Sequence, residues 1–191
     1  MNIIRWSELV EQPWRNGGGI TREICARHRG ADLLWRLSMA DVASDGPFSD
    51  FSGLMRVLTV IEGGAMALTT PTGELLAQPR VPVCFDGGWP VQSRLCDGPL
   101  RDLNLMFDPR YVAGEVTLIE GPLTRGLTAS PRQIYALHHL AGTADLAATA
   151  LDNPAALMPG DTLLLEAGST RADVTLAERS AALLIALTLL P

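Results

Sequence analysis

No lysine occurs among the 191 residues; all 15 basic side chains other than histidine are arginine. That absence removes Schiff-base chemistry and the phosphate-gripping lysine of a P-loop. Cysteine is scarce as well. Cys25, Cys84 and Cys96 are odd in number and form no Cys-x-x-Cys pair, which argues against a disulfide framework or a structural zinc site. Charged residues make up only 19%, below the roughly 25% typical of soluble domains, against 47% hydrophobic residues. This balance favours a well-packed chain and an oligomer, expected to be a homodimer, that hides apolar surface. The formal net charge of −6 and the want of a helix-turn-helix pattern argue against a nucleic-acid partner. The first residues hold no long apolar run, so no signal peptide is expected, and the apolar tail from Ala181 to Pro191 is too short to span a bilayer. A cytoplasmic protein with no membrane partner is expected. A Gly-x-Ser-x-Gly nucleophile elbow is missing, as is a Gly-x-Gly-x-x-Gly run after a strand.

What is present is a series of short apolar stretches broken by Gly, Pro, Asp and Ser. Leu34 to Ala40, Arg56 to Ile61, Ala65 to Thr70, Val81 to Phe85 and Leu100 to Phe107 read as strands in the first half. Ile134 to Leu140, Leu163 to Glu166, Thr170 to Leu176 and Ala181 to Leu189 repeat the style in the second. Amphipathic helical patterns are scarce; Ser7 to Val10 predicts one short helical turn capped by Ser7. Short strands at this spacing predict an all-β sandwich or barrel. The two halves share strand–glycine turns at Glu62-Gly63-Gly64 and Ala141-Gly142, which suggests an internal duplication. The expected division is 1–110 and 111–191, within a single compact unit. Of the histidines, His28 is expected in a surface loop, while adjacent His138 and His139 point to opposite faces of a strand, so at most one enters a barrel. Cys25 and Cys84 read as buried small residues.

The densest run of polar chemistry is Pro13-Trp14-Arg15-Asn16-Gly17-Gly18-Gly19-Ile20-Thr21-Arg22-Glu23-Ile24. Three consecutive glycines give a core nothing and suit a sharp turn or a close backbone approach. Guanidinium, amide and hydroxyl groups around them suit a small anion. This run resembles the signature of the HutD/Ves family. Two further blocks resemble it as well: Trp35 to Val42 with Asp45 to Gly53, Arg56 and Leu58 to Gly63, and then Asp102 to Met106. The resemblance implies a cupin-like fold of double-stranded β-helix (jelly-roll) barrels in a bicupin arrangement, and a link to histidine utilisation.

In cupins, histidines and a glutamate that hold a metal precede a turn of the Ile61-Glu62-Gly63 kind. Aligned on that turn, the histidine region falls at Phe48 to Phe51, the glutamate near Arg56, and the second motif ends near Asn104. Phenylalanine cannot ligate, and arginine places a permanent positive charge where a cation would sit. No metal and no other cofactor is therefore expected, and the arginine suits a carboxylate.

The residues expected to line a ligand pocket are Trp14, Asn16, Thr21, Arg22, Arg36, Ser38, Phe48, Phe51, Arg56 and Asn104. Arg36 and Ser38 share a strand face, and Asn104 is an amide embedded in an apolar strand that must find a partner. The expected function is metal-free binding of a small carboxylate, of the urocanate or formylglutamate type that the resemblance implies, modulating histidine utilisation without catalysis. One alternative is a metal-independent isomerase, hydrolase or lyase in which Glu23 or Asp102 serves as base. Another is a Ves-like stress-response protein.

Overall fold

The computed structural model describes residues 1–15, 17–148, 155–168 and 171–191. The described elements begin with β1 (Asn2–Ile4), a 3-10 turn (Trp6–Glu8), β2 (Glu11–Pro13), β3 (Gly19–Arg29), β4 (Asp32–Val42), β5 (Gly46–Pro47), β6 (Met55–Glu62), β7 (Met66–Thr70), β8 (Gly73–Ala77), β9 (Val83–Asp86), β10 (Gln92–Leu95) and β11 (Leu100–Phe107). They continue with β12 (Val112–Glu120), β13 (Leu123–Leu127), β14 (Gln133–Ala141), β15 (Ala144–Ala148), β16 (Ala155–Leu157), β17 (Thr162–Leu165), β18 (Ala172–Leu176) and β19 (Ala181–Leu189). The chain is all-β, as its spacing of apolar runs and turn residues predicts.

Two compact units emerge. Val10–Val112 forms one, from a six-stranded sheet β2-β3-β4-β11-β6-β9 and a four-stranded sheet β5-β10-β7-β8. Leu58, Val60, Met66, Leu68, Phe85 and Val91 pack together in its core. Met1–Leu9 with Ala113–Pro191 forms the other, from a five-stranded sheet β1-β17-β14-β19-β12 and a four-stranded sheet β13-β18-β15-β16. Leu137, Leu146, Leu163, Leu165, Val174 and Leu184 fill that core.

The first residues group differently from a division at 110/111. Ile3 of β1 pairs with Leu163 of β17, so residues 1–9 belong with the second half. Asp161 holds them there: its carboxylate accepts hydrogen bonds from Arg5 Nη1 at 2.6 Å and from the Trp6 backbone at 2.9 Å. The helical turn lies at Trp6–Glu8, with its cap two residues earlier than predicted, at Arg5 rather than Ser7.

Two other expectations need correction. The segment around His28 is not a loop; it is the end of β3, where His28 is exposed. Cys84 is exposed and Cys25 only partly buried, because β9 is the last strand of its sheet and β3 is thinly covered. His138 and His139 are both buried, since both faces of β14 are shielded from water. His138 Nδ1 meets Thr162 Oγ1 at 2.9 Å, and His139 Nε2 meets the Ala141 carbonyl at 3.0 Å.

Candidate functional site

The pocket grows out of strand register in the Val10–Val112 unit. In β4, Arg36, Ser38 and Ala40 share one face, while Trp35, Leu37 and Met39 occupy the other and are buried. Antiparallel β11 sets Asn104 beside Ser38 and Met106 beside Arg36. On its other flank β6 sets Leu58 beside Asn104 and Arg56 beside Met106. On the far side of β4, β3 sets Thr21 beside Ala40. One sheet face therefore carries Thr21, Arg36, Ser38, Arg56 and Asn104 together.

The segment leading into the triple-glycine run, residues 12–15, lines one part of the cavity. Gly17 has φ of +73°, a left-handed conformation that glycine adopts without penalty. The Trp14 backbone donates to the Gly19 carbonyl at 2.9 Å, and a Cβ on Gly19 would lie 3.0 Å from the Trp14 ring and 2.4 Å from the Asp41 carbonyl oxygen. Glycine at 19 thus lets the indole approach the backbone closely, and Trp14 Nε1 donates to Thr21 Oγ1 at 2.7 Å. Phe48 and Phe51, which follow β5, add apolar lining.

Together these groups line a cavity of about 590 Å³. Of the residues expected from sequence, Trp14, Thr21, Arg36, Ser38, Phe48, Phe51, Arg56 and Asn104 line it. Asn16 lies outside the described residues. Arg22 does not line the cavity. It pairs in register with Met39, on the sheet face opposite Thr21, and its guanidinium binds Glu11 and, at 2.6 Å, Asp41. Adjacent strand residues point to opposite faces, so Thr21 and Arg22 cannot share one pocket. Residues not singled out from sequence also line it, among them Gln12, Arg15, Ala40, Pro47, Ser49 and Met106. Met106 was within reach of strand alternation, being two residues from Asn104.

Arg56 is the electrostatic centre. It is 8% exposed, and its guanidinium carbon lies 4.2 Å from the Phe48 ring centroid, a cation–π contact. Arg56 Nε donates to Asn104 Oδ1 at 2.7 Å, and Asn104 Nδ2 donates in turn to Asp102 Oδ1. Among the described residues Asn104 is the one hydrogen-bond partner of Arg56, which leaves the guanidinium's remaining N–H groups for the cavity. Burial pulls Arg56 down to about 10, opposed by Asp102 and reinforced by Arg36, so it stays cationic at neutral pH. Burial pushes Asp102 up to about 7 against the opposing pull of Arg56 and Asn104. Arg36, by contrast, spends its charge on Glu23, with Nε to Oε2 at 2.8 Å.

The donor set does not fit the metal that cupin relatives imply. Among the described residues the cavity lining offers no imidazole or carboxylate, and the Arg56 guanidinium is part of it. Among the described residues no group of three or more His, Cys, Asp or Glu is placed to hold a metal. What the arrangement can do is accept an anion on Arg56 and an apolar body against Trp14, Phe48, Phe51 and Met106.

Fold and site together define a cupin-like all-β protein of bicupin type, with an arginine-lined pocket in the first barrel. The HutD family model matches residues 6–184, and the chain belongs to the HutD family. An uncharacterised 21.2 kDa protein in the hutC 3′ region of Pseudomonas putida is 34% identical over 142 residues, covering 71% of this chain and 73% of that protein. Protein Ves of Cronobacter sakazakii is 36% identical over 115 residues, or 59% of this chain and 64% of that protein. The structure of HutD from Pseudomonas fluorescens, in a formate condition, matches at TM-score 0.83 and 31% identity over 100% of this chain and 99% of that one. An oxalate decarboxylase mutant of Bacillus subtilis matches at TM-score 0.67 and 10% identity over 97% of this chain and 76% of that one, a likeness of fold alone. No helix among the described residues is long and apolar enough to cross a membrane.

Proposed function

We propose that this chain is a metal-free binding protein for a small carboxylate, and that through this ligand it modulates histidine utilisation. The observation that carries the reading is Arg56: a buried cation, stacked on Phe48, whose one protein hydrogen-bond partner among the described residues is Asn104. A guanidinium withdrawn from water with free N–H groups suits a carboxylate, which accepts two parallel hydrogen bonds from it. Family membership connects the chain to histidine breakdown, whose acidic intermediates of the urocanate and formylglutamate type supply suitable anions. The cavity has room for a ligand of that size.

Catalysis is less well supported. A base must reach the ligand's reacting atom. Glu23 is tied to Arg36, and Asp102 lies beyond Asn104 and does not line the cavity.

Calorimetric titration with urocanate and with formylglutamate tests the reading, with formate as the minimal anion. Saturable binding of at least one compound is expected, weakened roughly 30-fold or more by Arg56→Ala, which corresponds to a loss of about 2 kcal/mol. Wild-type affinity in the variant, or no binding of any of the three, overturns it.

A further inference from the structure

A second charge lies under the first. Asp102 is 1% exposed, and the core around it is apolar: its register partners are Ala40 on β4 and Val60 on β6. No hydrogen bond joins it to Arg56 directly; Asn104 stands between. The amide has one possible orientation. Arg56 has only donors, so Asn104 turns Oδ1 toward it and Nδ2 toward Asp102. A carboxyl group and the pocket cation are thus joined through a single buried amide.

We propose that Asp102, acting through Asn104 and Arg56, couples anion binding in the pocket to the uptake of one proton. The proposal rests on the carboxylate reading above and assigns Asp102 a positioning role beneath the site. An anion on Arg56 offsets the positive field that favours the Asp102 carboxylate, and it adds a like charge nearby. In a shell that water does not reach, the carboxylate cannot be compensated by solvent, so it takes a proton from solution. The bound state then holds the ligand carboxylate, protonated Asp102 and cationic Arg56.

The surrounding charges leave Asp102 as the group that responds. Arg56 projects from β6, and Arg36 and Asp41 from β4; Arg36 is paired with Glu23, while Asp41 is paired with Arg22 and Arg101. On β11 itself the neighbouring charge is Arg101, which binds Asp41 and Glu62. β7 carries no titratable side chain, and Glu74 of β8, Asp86 of β9 and Arg94 of β10 are exposed. Burial already pushes Asp102 up to about 7, so a modest loss of positive field moves it across neutral pH.

The sign follows. The anion prefers protonated Asp102, so affinity is highest below about pH 7 and falls above it, by up to tenfold per pH unit, until the carboxyl of the bound state also ionises. Calorimetric titration with formate or cinnamate, neither of which titrates near neutrality, in two buffers of different ionisation heat reads the proton count. The wild type is expected to take up most of one proton per anion near pH 8, and Asp102→Asn none, with a flat pH profile. Binding without proton uptake, or equal uptake in the variant, overturns the coupling and leaves the carboxylate reading standing. No anion binding in the wild type overturns both. Should Asp102→Asn fail to fold, carbon-13 NMR titration of the Asp102 carboxyl in Arg56→Gln serves without any ligand. Its midpoint is expected to rise by about one pH unit or more on loss of the cation; an unmoved midpoint overturns the coupling.

Discussion

At the residue scale, Arg56 gains from Phe48 what burial takes away. A cation withdrawn from water is costly, and the aromatic face beside it returns part of that cost. The same contact, 4.2 Å from the guanidinium carbon to the ring centroid, restrains the cation within the cavity. Phe48→Leu retains an apolar wall and removes the ring. It is expected to weaken carboxylate binding by about 0.5–2 kcal/mol, measured by titration, with little change in thermal midpoint. An Arg36→Gln change is expected to matter less, because Glu23 already holds that charge. Much of this was legible in the sequence. An amide inside Leu103-Asn104-Leu105 demands a partner, and an arginine opening an apolar strand demands a reason. That each answers the other was not legible. They lie 48 positions apart, and only the register of β6 against β11 brings them together.

At the element scale, the hairpin of β2 and β3 shows where period-two reading breaks down. β3 is an eleven-residue strand, yet its sequence shows no clean alternation. Two register irregularities, at Glu23/Cys25 and Arg27/His28, each shift the pattern by a residue, and its last residues are exposed. Recognised as a strand, it would have excluded Arg22 from the pocket at once. What Arg22 does instead is structural: with Glu11, Asp41, Arg101 and Glu62 it links β2, β3, β4, β11 and β6 across the face opposite the pocket. The glycine run makes a sharper demand. Gly19→Ala forces a methyl group against the Asp41 carbonyl and the Trp14 ring. A loss of about 1–3 kcal/mol is expected in urea unfolding, with a shifted Trp14 fluorescence as the indole is displaced. Unchanged stability and fluorescence would show that the indole does not need this close approach.

At the scale of the whole molecule, each unit has an acidic anchor held ionised. Burial raises Asp41, but hydrogen bonds from Arg101 and Arg22 outweigh it and hold the carboxyl below its usual range. Burial likewise raises Asp161, and the Trp6 and Met158 backbones with Arg5 outweigh it. A depressed carboxyl contributes stability that is present above its unfolded value, near pH 4, and is lost as pH falls through the folded one. Acid unfolding is therefore expected to steepen below about pH 4. Asp161→Ala leaves two backbone donors without their acceptor and Arg5 with only the Ala156 carbonyl, a cost of about 2 kcal/mol or more. Hydrogen exchange is expected to report that loss at residues 162–164, where β1 pairs, and to leave the pocket strands β4 and β11 protected. The pairing of the first residues with the second half was not visible in sequence, since three residues carry too little pattern to specify a partner strand.

The pocket's claim on a carboxylate is tested most directly by a crystal structure of the chain grown with urocanate or formylglutamate. The predicted result places the ligand carboxylate within hydrogen-bond distance of the Arg56 Nη atoms, with its body against Phe48 and Trp14. A ligand seated elsewhere, or one whose carboxylate avoids Arg56, would contradict the account.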